Sequence, residues 1–199
     1  MPITINGDGS ITGLSVGGLG SGVVNTATLA NGAATQAKRT YASGEIIQTK
    51  FYQNLTQYSN NSNTSPTTII SGAITPTSSS NKIIITYHAQ VAYQNGQQHC
   101  HVQILKGGSV IDAARGTASN NTIGYNGNKC IYIANTDDNN RTGVSGSYSD
   151  TAGSTSAITY AIGINVNGTN TSYYCHANRS AHSTGYGSST ELILMEMQA

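Results

Sequence analysis

The residues with the clearest capacity for chemistry are His99-Cys100-His101, two histidines flanking a cysteine. On a strand, side chains two apart leave from the same face, so both imidazoles would point one way. Three copies around a three-fold axis would then offer six ring nitrogens, enough for an octahedral metal. The alternative is plain: histidines on a polar strand face are commonly solvated or hydrogen-bonded. Cys175-His176, with His182 further on, adds possible ligands, but the spacing matches no standard zinc pattern.

The other candidates are weaker in chemical content. Asp137-Asp138-Asn139-Asn140 is acidic, but Arg141 follows where a calcium loop needs a ligand, and no Gly comes after it. A solvated turn is the expected reading. Gly17-Gly18-Leu19-Gly20-Ser21-Gly22 does not fit a dinucleotide-binding loop and lies in no βαβ unit. The eight carboxylates are scattered, and no H-E-x-x-H or G-x-S-x-G occurs. No enzymatic activity and no cofactor are therefore expected. Two loops, 115–129 and 178–189, hold Tyr125, Asn126, His182 and Tyr186 among Asn, Ser and Gly. Tyrosine in adaptable polar loops suits recognition of sugars or proteins; these segments can equally be ordinary connections.

The elements that must position these residues are strands. Charged residues make up only 9% of the 199, and the net charge is +1. About 25% is usual. Ser, Thr, Asn and Gly replace them, with 12 Tyr and no Trp. No clustered Lys and Arg would hold nucleic acid or an anionic membrane, and no apolar run is long enough to span a bilayer. No signal-peptide pattern opens the chain. The expectation is synthesis in a cytoplasm, where the protein stays or which it leaves by another route, such as host lysis.

Nine strands are expected from residue 45 on: 45–58, 67–74, 82–93, 99–106, 129–134, 143–149, 157–166, 173–178 and 190–197. In 82–93, Ile83, Ile85, Tyr87, Ala89 and Val91 alternate with Lys82, Thr86, His88 and Gln90, the period of a half-buried strand. This count, with turn signals at short intervals, points to an all-β sandwich of jelly-roll type. The three cysteines, Cys100, Cys130 and Cys175, make no disulfide framework and are expected to be small buried hydrophobes.

Two regions depart from this pattern. The last strand has Leu192 and Leu194 on one face and Ile193, Met195 and Met197 on the other. Two apolar faces call for a second burial, so these five residues are the expected oligomer interface. The alternative is a central strand covered by a loop. The first 39 residues carry isolated apolar side chains between Gly, Thr, Ser and Asn and cannot form a core alone. Ile3 and Ile5 alternate with polar residues, Gly7-Asp8-Gly9 turns the chain and Ile11 resumes, which predicts a minimal hairpin. A short helix is expected over 26–38. The chain therefore divides into an anchoring arm, 1–43, and a β-knob, 44–199. Ile3, Ile5, Ile11, Leu14, Val16 and Leu19 are the arm's candidate contacts with an assembly. With so little charge, that attachment should be nearly insensitive to salt.

Several segments resemble a known family. Ile74-Thr75-Pro76-Thr77-Ser78-Ser79-Ser80-Asn81-Lys82-Ile83-Ile84 is similar to a signature of small tail-fibre-like virion proteins of marine and freshwater phages, especially cyanophages. The start, Ile5-Asn6-Gly7-Asp8-Gly9-Ser10-Ile11-Thr12-Gly13-Leu14, and the ending, Ser188 to Glu196, resemble theirs too. Leu29-Ala30-Asn31-Gly32-Ala33-Ala34-Thr35-Gln36-Ala37-Lys38 resembles the L-A-D-G-A-V-T-x-A-K repeat of phage fibres, once, with Asn31 for Asp and Ala34 for Val. A single repeat implies no long stalk. The resemblance implies a homotrimeric, jelly-roll-like knob on the outside of a virion. Its implied partners are its own copies, other virion proteins of tail or capsid, and a host surface glycan or protein. Some trimeric phage fibres bind metal through histidines, which is the family's counterpart to His99 and His101. The resemblance supplies no catalytic residues.

Overall fold

The structure, a computed structural model, describes residues 4–5, 11–12, 39–62, 64–94, 98–114, 129–133, 141–166, 174–179 and 188–199. The chain divides into two compact units, Met1–Tyr41 and Ala42–Ala199. In the first, β1 (Thr4–Ile5) and β2 (Ile11–Thr12) pair antiparallel, with Ile5 opposite Ile11. The expected hairpin is present. The helix expected over 26–38, and Ile3, Leu14, Val16 and Leu19, lie outside the described residues.

The second unit is built from antiparallel strands. They are β3 (Ile46–Asn54), β4 (Tyr58–Asn60), β5 (Thr67–Ile74), β6 (Lys82–Gln94), β7 (Gln98–Lys106), β8 (Ser109–Val110), β9 (Lys129–Ile133), β10 (Arg141–Thr151), β11 (Ile158–Val166), β12 (Tyr174–Ala177) and β13 (Thr190–Met197). All nine expected strands are among them; the two additions, β4 and β8, are three and two residues long. The predicted strand 45–58 stops at Asn54, whose Oδ1 accepts from Thr56 N at 3.0 Å. That side-chain turn breaks the ladder before β4 begins.

The 13-residue β6 organises the larger sheet. One of its edges pairs with β13 over Lys82–His88 and then with β12 over Val91–Gln94. The other edge pairs with β10 from Lys82 to Ala92. Strand β3 lies outside β13, and β4 outside β12. In the smaller sheet, β11 sits between β5 and β7, while β8 and β9 take the far edge of β7. The inward sides of both sheets form one core, with Ile83, Ile85, Tyr87, Ala89 and Val91 from β6 meeting Cys100, Val102 and Ile104 of β7 and Tyr160, Ile162 and Ile164 of β11.

Three expectations are corrected here. Cys100 and Cys175 are buried as expected, but they are joined in a disulfide, with Cα atoms 5.5 Å apart. Strands of opposite sheets present them inward at the spacing the bond requires. The terminal strand β13 is central, paired on both sides, and Leu192 and Leu194 are fully buried in the chain's own core. Those two cannot form a surface between copies; Ile193, Met195 and Met197 remain half-buried on the outer face. Finally, β7 has no solvated face over its centre: His101, Gln103 and Leu105 are 1%, 2% and 3% exposed. Gln103 Nε2 donates to Asn165 Oδ1 at 2.9 Å, across to β11.

Candidate functional site

The two ends of β6 are built differently. At its Lys82 end the chain closes on a single carboxylate. Glu196, fully buried on β13, accepts from Gln48 Nε2, Thr77 N, Thr77 Oγ1 and Asn81 Nδ2, each at 2.7 Å. Burial alone would raise its pKa; the bonds from Gln48, Asn81 and Thr77 outweigh it and hold the carboxyl below its ordinary value. Asn81, also fully buried, accepts from Ala199 N at 3.3 Å and, through its carbonyl, from Ala152 N at 2.9 Å. The Pro76–Asn81 turn and the final strand are thereby one structural unit. The motif residues Thr77, Asn81 and Glu196 are spent on holding the fold together.

A second buried group sits beside this end. Tyr160 Oη donates to Asp150 Oδ2 at 2.7 Å, and Lys106 Nζ meets the same oxygen at 2.7 Å. Burial, then the Asp150 bond, push the Tyr160 phenol well above its ordinary range. It stays neutral and acts as a donor.

The Gln94 end is open. Arg141 on β10 and His176 on β12 flank Ala92 in register, on the outer face of the larger sheet. Strand spacing places their backbones ~10 Å apart. Ser59 on β4 is next in the row, opposite His176. Tyr174 and His176 stack, with ring centroids 5.9 Å apart and planes 16° from parallel. A cleft of about 280 Å³ is lined by Gln57, Tyr58, Ser59, His176 and Arg179. Tyr58 is oriented by Asn54, whose Nδ2 donates to its hydroxyl at 3.1 Å. Arg179 is carried by Asn178, a buried residue at φ 54°. Asparagine tolerates that left-handed conformation better than most residues. Its side chain donates to Asn54 O at 3.0 Å and Thr56 O at 3.1 Å, and accepts from Thr190 Oγ1 at 2.9 Å. Burial, then the charge of Arg179, hold Arg141 below its ordinary pKa. Arg141 Nε and Nη2 are shut off from solvent and find no hydrogen-bond acceptor among the described residues.

Between these ends the outer face changes character twice. Ser145, His88 and Glu191 form one cross-strand row on β10, β6 and β13. His88 Nδ1 and Ser145 Oγ are 3.0 Å apart, and the three residues line a shallow cleft of about 140 Å³ with Thr86, Tyr87 and Ile193. The residue types are those of nucleophilic catalysis, but His88 is exposed on an open sheet. Stabilising an oxyanion needs a water-excluded site. The row is a polar ledge. Next to it, Ile46, Phe51, Ile84, Ile193, Met195 and Met197 occupy neighbouring register positions on β3, β6 and β13. Phe51 is 59% exposed and Ile46 43%.

Of the residues expected to do chemistry, Tyr125, Asn126, His182 and Tyr186 lie outside the described residues, and so does the side chain of His99. His101 is enclosed within the chain beside Asn165, its register partner on β11, which is no place for three copies to share a metal. Among the described residues, no group of three metal-ligating side chains occurs. Sequence reasoning passed over Arg141 as the residue that spoiled a calcium loop and missed Arg179, Tyr58 and His176 as a group. They are brought together only by sheet register. No known family profile matches the chain, and no curated protein matches it significantly.

Proposed function

We propose that the chain is a structural protein of a phage virion: a homotrimeric tail fibre or spike, mounted through residues 1–43, whose jelly-roll-like knob, 44–199, meets the host surface. The observation that carries this reading is the apolar outer face of Ile46, Phe51, Ile84, Ile193, Met195 and Met197 on an otherwise polar, nearly uncharged molecule. A contiguous exposed apolar patch marks a protein contact. It begins at the strand that follows the arm, where Gly44 N donates to Gln198 O at 3.0 Å.

The test is the oligomeric state and place of the protein. Light scattering should give a trimer, and Phe51→Asp with Ile193→Asp should give a folded monomer. A wild-type monomer would remove the trimer. Virions lacking the knob should fail to adsorb; normal adsorption would remove the attachment role. A copy number in the tens to hundreds per virion would instead identify a head fibre or decoration protein. A stable trimer that never enters virions would leave a free lectin-like module.

A further inference from the structure

We propose that the Cys100–Cys175 bond is a redox-timed lock on β12: two thiols while the chain is made inside the cell, one disulfide once it is outside. This rests on the virion reading above, because such a protein is built in a reducing compartment and works in an oxidising one. The core does not depend on the bond. Its long rows, Ile83, Ile85 and Tyr87 of β6 with Leu192 and Leu194 of β13 and Ile162 and Ile164 of β11, lie on strands that carry neither cysteine. Glu196 closes the Lys82 end through hydrogen bonds alone. Strand β12 is the weakly held member. It has four residues, and its two buried side chains, Cys175 and Ala177, are small. Little apolar area therefore holds it down. It pairs with β6 over Val91–Gln94 and with β4 over Tyr58–Asn60. Beyond it, Asn178 N donates to Gln90 O at 3.2 Å and pins the far end.

Cys100, by contrast, is held from both sides. Strand β7 pairs with β11, where Val166 is opposite Cys100, and with β9, where Ile131 is opposite it. The bond thus ties a weakly held strand of one sheet to a firmly held strand of the other, closing a loop of 75 residues. Closing the lock breaks two S–H bonds and forms one S–S bond. Two electrons and two protons leave. A small-molecule disulfide accepts them and becomes two thiols, or molecular oxygen accepts them and becomes hydrogen peroxide. Both cysteines are fully buried, so a reagent reaches them only when β12 lifts. The reduced strand lifts often enough to be oxidised; the closed bond is then sheltered from small thiols. The side chains it steadies are those of the cleft, Tyr58 and Ser59 of β4 and His176 of β12.

The experiment counts thiols and measures hydrogen exchange on the full-length protein. Bacterial cells expressing the chain in the cytosol are quenched in acid, and its cysteines are alkylated in denaturant. All three, Cys100, Cys130 and Cys175, should be alkylated. After the purified protein is incubated with oxidised glutathione, only Cys130 should be, with Cys100 and Cys175 recovered as one linked peptide pair. Reduced with dithiothreitol, the protein should keep its strand content, while the amides of Tyr174–Ala177 exchange at least about tenfold faster than in the oxidised form. Cys175→Ser should match the reduced wild type and ignore dithiothreitol. Should that variant not fold, the wild type cycled from dithiothreitol back to oxidised glutathione should regain slow exchange. A bond already present in acid-quenched cells overturns the timing. A reduced chain that does not fold overturns the lock as an addition to a finished core. Unchanged exchange over Tyr174–Ala177 overturns the hold on β12. A bond already made in quenched cells removes the lock and leaves the virion reading standing; virions that lack the chain remove that reading and leave the thiol counts standing.

Discussion

The two ends of β6 use the same polar vocabulary to opposite effect. At the Lys82 end, donors outnumber charges and converge on Glu196 until its carboxylate is saturated. At the Gln94 end, Arg141 keeps guanidinium donors closed to solvent and without an acceptor among the described residues. Glu196 is in register with Ile83 and Arg141 with Ala92, nine residues along β6, about 30 Å at ~3.3 Å each. The first end is finished by folding. The second keeps buried donors that the described fold does not pair. A satisfied polar network rigidifies, whereas an unsatisfied one is either a cost or a site.

That contrast can be broken from the largest effect to the smallest. The Cys100–Cys175 bond ties β12, which carries His176, to β7 beneath it, closing a loop of 75 residues. Reduction should cost about 4 kcal/mol and lower the melting temperature by roughly 10 °C. An unchanged melt after verified reduction would show that the bond carries no load. Glu196→Ala strips the acceptor from four donors and should cost about 3 kcal/mol. The same carboxylate sets an acid limit. Its pKa is lower folded than unfolded, so its contribution is complete above the unfolded value of about 4.3 and fades as pH falls through the folded one. Melting temperature should drop through that acid window in the wild type and drop less in Glu196→Ala. Asn178→Ala removes the amide that holds Asn54 O and Thr56 O and forces Ala into a left-handed backbone. It should cost about 2 kcal/mol, read in denaturant titration. Tyr160→Phe removes one bond to an Asp150 still held by Lys106, and about 1 kcal/mol is expected in denaturant titration.

How far the sequence reveals these ends follows from what each is made of. Period-two alternation in Lys82–Val91 and Ile158–Val166 exposed the core faces, because burial selects every second residue along a strand. The closed end was visible as a motif, Ile74 to Ile84 with the Leu192–Glu196 ending, but its meaning was not. Thr77 and Glu196 are 119 residues apart and meet only because β13 lies beside β6. The open end left no local trace. Arg141, His176 and Ser59 share a row by cross-strand register, and nothing in the spacing of three separate strands encodes it. The disulfide was hidden for a related reason: an odd cysteine count suggested none, while pairing depends on which strands face across the core. The outer apolar face was half legible, since alternation placed Ile193, Met195 and Met197 together, but Phe51, Ile46 and Ile84 joined them only through the sheet.

The most direct measurement sets two variants side by side in two assays. Glu196→Ala and Arg141→Gln with Arg179→Gln are each melted and each titrated with denaturant. The expected result is that Glu196→Ala melts roughly 5–12 °C lower and the arginine variant melts like the wild type. The opposite outcome, arginine substitutions that destabilise the fold, would contradict it and make both ends of β6 structural.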